Sequence, residues 1–181
     1  MSDSAGGRVA VRKTYKLYIG GAFPRSESGR SYPVTSPSGV ALAHAAQASR
    51  KDVRDAVRAA RAAVTGWAAA TGYNRGQILY RVAELLEGRR AQFAAEVRAT
   101  ETCSSSAAYA QVNEAIDRWV HYAGWADKYS QVAGSTNPVS GPFFNFSTPE
   151  PTGVVGITIT AGNPSRAAVR TSFSAIHFER L

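Results

Sequence analysis

Between Ser49 and Lys128 apolar residues recur at helical spacing, broken only by short polar or glycine-containing intervals. The middle of this chain can therefore bury its side chains only as a succession of packed helices. Ser49 followed by Asp52 marks the first start: the hydroxyl accepts from a free backbone amide and the acid sits favourably in the first turn. Val53, Val57, Ala60, Val64 and Trp67 carry the stripe onward and predict a helix to about Gly66. Asn74 reads as a second cap, and Ile78, Val82, Leu85 and Leu86 as a buried face ending near Gly88. Phe93 and Val97 predict a third helix directly after it. A further helix is expected after Ser104-Ser105-Ser106, with Ile116, Val120, Ala123 and Tyr129 on one side and Asp117, Arg118 and Lys128 toward water. Trp67, Trp119 and Trp125 fall at helical spacing beside Val64, Ile116 and Ala126 and read as core aromatics rather than stacking platforms.

Short strands flank the helices. Lys16 to Ile19 and Ala22-Phe23 read as two strands around the Gly20-Gly21 turn, and Tyr32 to Ser36 as a third. Pro37-Ser38-Gly39 turns the chain before Val40 to Ala46 continues extended. After the loop Gly134 to Gly141, the segment around Phe143, Phe144 and Phe146 reads as a strand with a strongly apolar side. Gly153 to Ile157 reads as a short apolar strand buried in a parallel sheet, its glycines allowing close packing. The chain thus divides into a flexible tail, 1–13, a folded unit, 14–157, and a divergent tail, 158–181.

Composition excludes several classes. A hydrophobic share of 44% and a charged share of 19% belong to an ordinary globular chain rather than a disordered one. The formal charge of +8 raises nucleic acid as a partner, but Arg50, Arg54, Arg58 and Arg61 form one helical stripe opposite Val53, Val57, Ala60 and Val64. A solvated helix face accounts for that stripe without a ligand, and no nucleic-acid motif stands beside it. The single cysteine, Cys103, excludes an internal disulfide and fits a reducing compartment. Met1 to Lys13 carries no apolar core of signal-peptide length, and no run of about 18 apolar residues spans a bilayer. The expected location is cytoplasmic. His44, His121 and His177 share no metal-ligand spacing, and Gly153 with Gly156 does not make a dinucleotide fingerprint.

Three stretches carry a family resemblance. The first is Leu17-Tyr18-Ile19-Gly20-Gly21 with Ser36-Pro37-Ser38-Gly39. The second runs from Asp52-Val53 through Ala56, Ala59, Ala60, Ala63 and Trp67 to Arg75, Leu79, Ala83, Leu85 and Leu86. The third joins Ala115-Ile116-Asp117-Arg118 and Tyr122-Ala123-Gly124-Trp125-Ala126-Asp127-Lys128 to Glu150-Pro151-Thr152-Gly153-Val154-Val155-Gly156-Ile157. In this order and at these separations they resemble the N-terminal part of aldehyde dehydrogenases.

The resemblance implies an α/β fold: the helix-rich N-terminal portion of an aldehyde dehydrogenase-like, Rossmann-type cofactor-binding domain, its sheet incomplete within these residues. It implies NAD- or NADP-dependent oxidation of an aldehyde to a carboxylic acid, through a cysteine thiolate, an oxyanion hole, hydride transfer and a glutamate-activated water. In the family the cysteine, the glutamate and the phosphate-binding turn come well after the strand matching Gly153 to Ile157. No catalytic, cofactor-binding or metal-binding residue is therefore assigned, and the chain alone is expected to be inactive. Cys103 lies between Thr100-Glu101-Thr102 and three serines, where the family commonly has glycine after threonine; it reads as a small residue filling a turn. From Thr158 the sequence departs from the family's Pro-Trp-Asn segment, as expected for a truncated or shifted reading frame. The region matching Phe143 to Thr152 contributes, in whole enzymes, to an arm that joins subunits. An oligomer through Phe143 to Ile157 is expected, or, as the alternative function, a non-catalytic module docking onto a full-length relative through that arm.

Overall fold

The computed structural model describes residues 11–157. Three strands open it: β1 (Thr14–Tyr15), β2 (Ser31–Thr35) and β3 (Ala41–Ala46), in the order β1-β3-β2. β2 runs antiparallel to β3 with Tyr32 opposite Ala45 and Val34 opposite Ala43, and β1 runs parallel to β3. Pro33 is tolerated because β2 is an edge strand, where a missing amide leaves no ladder bond unmade. Before β2, Ile19 and Ala22 exchange backbone hydrogen bonds at 3.0 and 3.1 Å around Gly20 and Gly21, whose φ values of 59° and 80° only glycine adopts freely. The expected hairpin is thus present, but as a single bridge, and the strand expected from Lys16 is displaced to Thr14–Tyr15.

Five helices come next: α1 (Arg50–Ala69), α2 (Gly72–Gly88), α3 (Arg90–Thr100), α4 (Ser105–Trp125) and the short α5 (Tyr129–Ala133). Ser49 and Asp52 form the expected start in full: Asp52 N–H donates to Ser49 Oγ at 3.3 Å, and Ser49 N–H donates to Asp52 Oδ2 at 2.7 Å. The same carboxylate accepts from Ser26 Oγ at 2.8 Å and from Glu27 N–H at 3.1 Å, so one buried side chain ties the turn before β2 to the helix. The Ser49 amide, foremost among these donors, holds the Asp52 carboxyl down from its ordinary 3.8 to about 2. At the other end of α1, Arg75 Nη1 donates to the Ala70 carbonyl at 2.6 Å, placing a cation where the helix leaves carbonyls unpaired. The helix runs past Gly66 because the stop lies beyond it, at Ala70 and the Thr71 cap of α2. Thr71, not Asn74, caps α2: its hydroxyl accepts from Asn74 N–H at 3.2 Å.

The core lies among α2, α3 and α4. Ala83, Ala94, Val97, Ala108, Val112 and Ile116 form it, with Leu86, Phe93, Cys103 and Trp119 packed against its edge. Its residues are small because the helices approach closely: a Cβ on Gly76 would stand 2.9 Å from the Ala123 carbonyl oxygen, and one on Gly72 would stand 2.6 Å from that of Ala126.

Several expected inward faces are not the buried ones. On α2 the buried residues are Gly76, Leu79 and Ala83, while Ile78 and Leu85 are exposed. The buried edge of the apolar arc on α2 is the one with the small residues Gly76 and Ala83, which let α4 approach closely. On α4 the buried set is Ala108, Val112, Ala115 and Ile116, and Val120 is exposed. Of the three tryptophans only Trp119 packs on the core; Trp67 and Trp125 lie at the surface.

Candidate functional site

The chain leaves α4 through Lys128, whose Nζ donates to the Gly124 carbonyl at 2.8 Å, and after α5 it turns at Gly134. A side chain there would run into the carbonyls of Ser130 and Ser147, the latter at 3.0 Å, so the sharp entry into the next segment requires glycine. That segment is a two-stranded arm, β4 (Ser135–Thr136) against β5 (Phe146–Ser147), antiparallel. Asn137 closes its loop: the amide N–H donates to the Asn145 carbonyl at 2.8 Å, and Nδ2 donates to Asn145 Oδ1 and to Ser147 Oγ, both at 2.9 Å. The strand expected around Phe143 to Phe146 is thus confined to Phe146–Ser147.

The outer surface of the arm is aromatic. Phe143 and Phe144 are 75% and 78% exposed, and the Phe144 and Phe146 rings sit 5.4 Å apart. Beyond them Val154, Val155 and Ile157 are exposed too, and residues 148–157 form no strand. The buried parallel strand expected over Gly153 to Ile157 is not formed among the described residues. Gly153 has φ +104° and nothing near a would-be Cβ, so its glycine serves conformation rather than close packing. An apolar strand needs neighbours on both sides, and none of the described strands lies beside this one.

Cys103 is half-buried against the helical core in the α3–α4 turn, next to Ser104, the N-cap of α4. His44 lies in β3, His121 is exposed on α4 with its ring 5.3 Å from Tyr122, and His177 lies outside the described residues. Among the described residues no three His, Cys, Asp or Glu side chains gather to hold a metal. One described strand feeds directly into a helix, at Gln47-Ala48-Ser49. That turn has no glycine, and the Asp52 carboxylate occupies the Ser49 amide. A dinucleotide diphosphate, which needs free amides at such a turn, does not fit there. The arginine stripe of α1 faces water, with Arg54 and Arg58 paired to Asp55 at 2.9 and 3.7 Å. No described helix is long and apolar enough to cross a membrane.

The described residues form a short mixed sheet, a close-packed helical trio and a two-stranded arm. The aldehyde dehydrogenase family model matches residues 23–176, and the chain belongs to that family. It is 37% identical over 153 residues to retinal dehydrogenase 2 of Gallus gallus, covering 80% of this chain and 28% of that protein. It is 35% identical over 150 residues to the putative aldehyde dehydrogenase DhaS of Bacillus subtilis, covering 81% and 30%. Among solved structures, an aldehyde dehydrogenase from Bacillus cereus superposes with a TM-score of 0.69 at 27% identity, over 74% of this chain and 27% of that one. PnpE in complex with nicotinamide adenine dinucleotide gives the same TM-score at 28% identity, over 73% and 27%. The chain therefore spans less than a third of the length of these relatives. Its fold is the expected one, a helix-rich part of the aldehyde dehydrogenase cofactor-binding domain with an incomplete sheet. The family match continues past Ile157, to residue 176.

Proposed function

We propose that these 181 residues are a scaffold segment of an aldehyde dehydrogenase and carry no redox chemistry by themselves. The observation that carries this reading is the placement of Cys103, the sole thiol, in a turn against the helical core. The family reaction, NAD(P)-dependent oxidation of an aldehyde to a carboxylic acid, then requires further polypeptide to bring the thiolate, the glutamate and the cofactor pocket. The exposed apolar faces support this: Ile78 and Leu85 on α2, and Val154, Val155 and Ile157 after the arm, are surfaces suited to being covered by more chain. The setting is cytoplasmic. To test it, the chain is mixed with a separately produced later segment of a relative bearing the cysteine and glutamate. Aldehyde-dependent NAD reduction is expected in the mixture alone; full turnover by the later segment without this chain would remove the scaffold role.

A second reading is favoured by the three exposed phenylalanines: a non-catalytic module that docks onto a full-length relative through residues 143–157. The unpaired edges of β4 and β5 and the apolar rings beside them offer strand pairing and burial together. Co-purification with a full-length relative is the expected result. Phe144→Asp should abolish it, and retention by that variant would contradict the arm as the contact.

A further inference from the structure

Three basic residues line a cleft remote in sequence from the arm. Lys16, Arg25 and Arg30 line one cleft of about 310 Å³, together with Thr14, Tyr15, Ser31 and the backbone around Gly29. Among the described residues no acidic side chain lines it. Glu27, next in sequence to a lining residue, is paired with Lys51 on α1. Asp52, the carboxylate that touches the lining residue Ser26, is occupied by Ser26 Oγ, Ser49 N–H and Glu27 N–H. Among the described residues none of the three cations has an ion pair. Lys13 Nζ sits 4.6 Å over the ring of the lining residue Tyr15.

The backbone carrying these side chains is held in place. Gly29, at φ +67°, closes a turn in which its N–H donates to the Ser26 carbonyl at 2.9 Å, setting Arg25 and Arg30 at the two ends of the turn. The Arg30 carbonyl accepts from Gln47 N–H at 2.9 Å, the Arg30 N–H donates to Ser28 Oγ at 3.3 Å, and Asp52 anchors Ser26. Holding like charges around one hollow costs energy in the empty protein and is offset when a multiply charged anion enters. Arginine forks match phosphate oxygens in pairs, and a lysine supplies a point charge.

We propose that this cleft binds a small phosphorylated anion of the diphosphate class. The test is calorimetric titration of the full chain with inorganic pyrophosphate. Binding should weaken steeply with added salt, because the contacts are ionic. Arg25→Gln and Arg30→Gln should each weaken it roughly tenfold, as expected for loss of a charged hydrogen bond. Arg98→Gln, the same charge change on α3, should leave it unaltered. Absence of binding, or an equal loss in Arg98→Gln, overturns the proposal, and citrate binding as tightly as pyrophosphate overturns the phosphate class. Should a variant fail to fold, amide shifts in the unaltered chain decide: those of Gly29 and Ser31 should move with pyrophosphate while that of Gly88 stays, and any other pattern contradicts the site.

Discussion

The trio α2–α3–α4 and the arm at 134–157 both carry apolar side chains, yet these end in opposite environments. Val97 and Val112 are each 1% exposed, because three helices close on one another within a single stretch of chain. Phe143, Phe144 and Val155 stand in water, because a strand satisfies its backbone and its side chains only against other strands. Local sequence can complete a helical core; it cannot complete a sheet. Among the described residues the helical trio closes on itself and the arm does not.

The largest expected effect strikes the closed trio. Gly76→Val forces a branched side chain into a gap where even a Cβ would lie 2.9 Å from the Ala123 carbonyl, and it should cost about 3 kcal/mol or more. A urea midpoint equal to that of the unaltered chain would show that α2 and α4 do not meet as described. Val112→Ala should cost about 2 kcal/mol by the same measurement, from lost burial plus the cavity left in a core of small residues. Phe144→Asp sharpens the contrast, since the ring is exposed and stability should change by no more than about 0.5 kcal/mol while association is lost. The pH dependence of the Asp52 tie gives the last prediction. Its folded pKa of about 2 lies below the ordinary 3.8, so the tie contributes fully above about pH 4 and is lost as pH falls toward 2. An acid-denaturation profile should lose part of its slope in that window in Asp52→Asn, and an unchanged profile would exclude this carboxylate as the anchor.

Much of the scaffold was legible in the sequence because its signals are local. Ser49 with Asp52, Gly20-Gly21, the break at Gly88 and the serine run before α4 each act within a few residues, and each is found as a cap or a turn. The cap of α2 falls at Thr71 rather than Asn74 because either residue can accept from an amide two or three positions on, and the hydroxyl nearer the helix start is the one used. The inward face of α2 was less legible. Ile78, Leu79, Val82, Ala83, Leu85 and Leu86 share one broad arc, and the fit of Gly76 against Ala123 decides which edge of it is buried. The apolar run from Gly153 signals burial correctly in kind, but what would bury it is not among the described residues. Arg75, legible only as part of a family stretch, turns out to cap α1 through the Ala70 carbonyl, a role visible once the two helices are set end to end. The basic cleft escaped sequence reading altogether, since Lys16, Arg25 and Arg30 follow no periodic pattern and meet only through the turn at Gly29.

The most direct measurement of the central claim, that this scaffold holds no nucleophile of its own, is NAD reduction by the purified chain supplied with an aldehyde. The account predicts none, with Cys103 remaining a thiol that packs against the core. NADH formation that persists through purification and disappears in Cys103→Ser would contradict it.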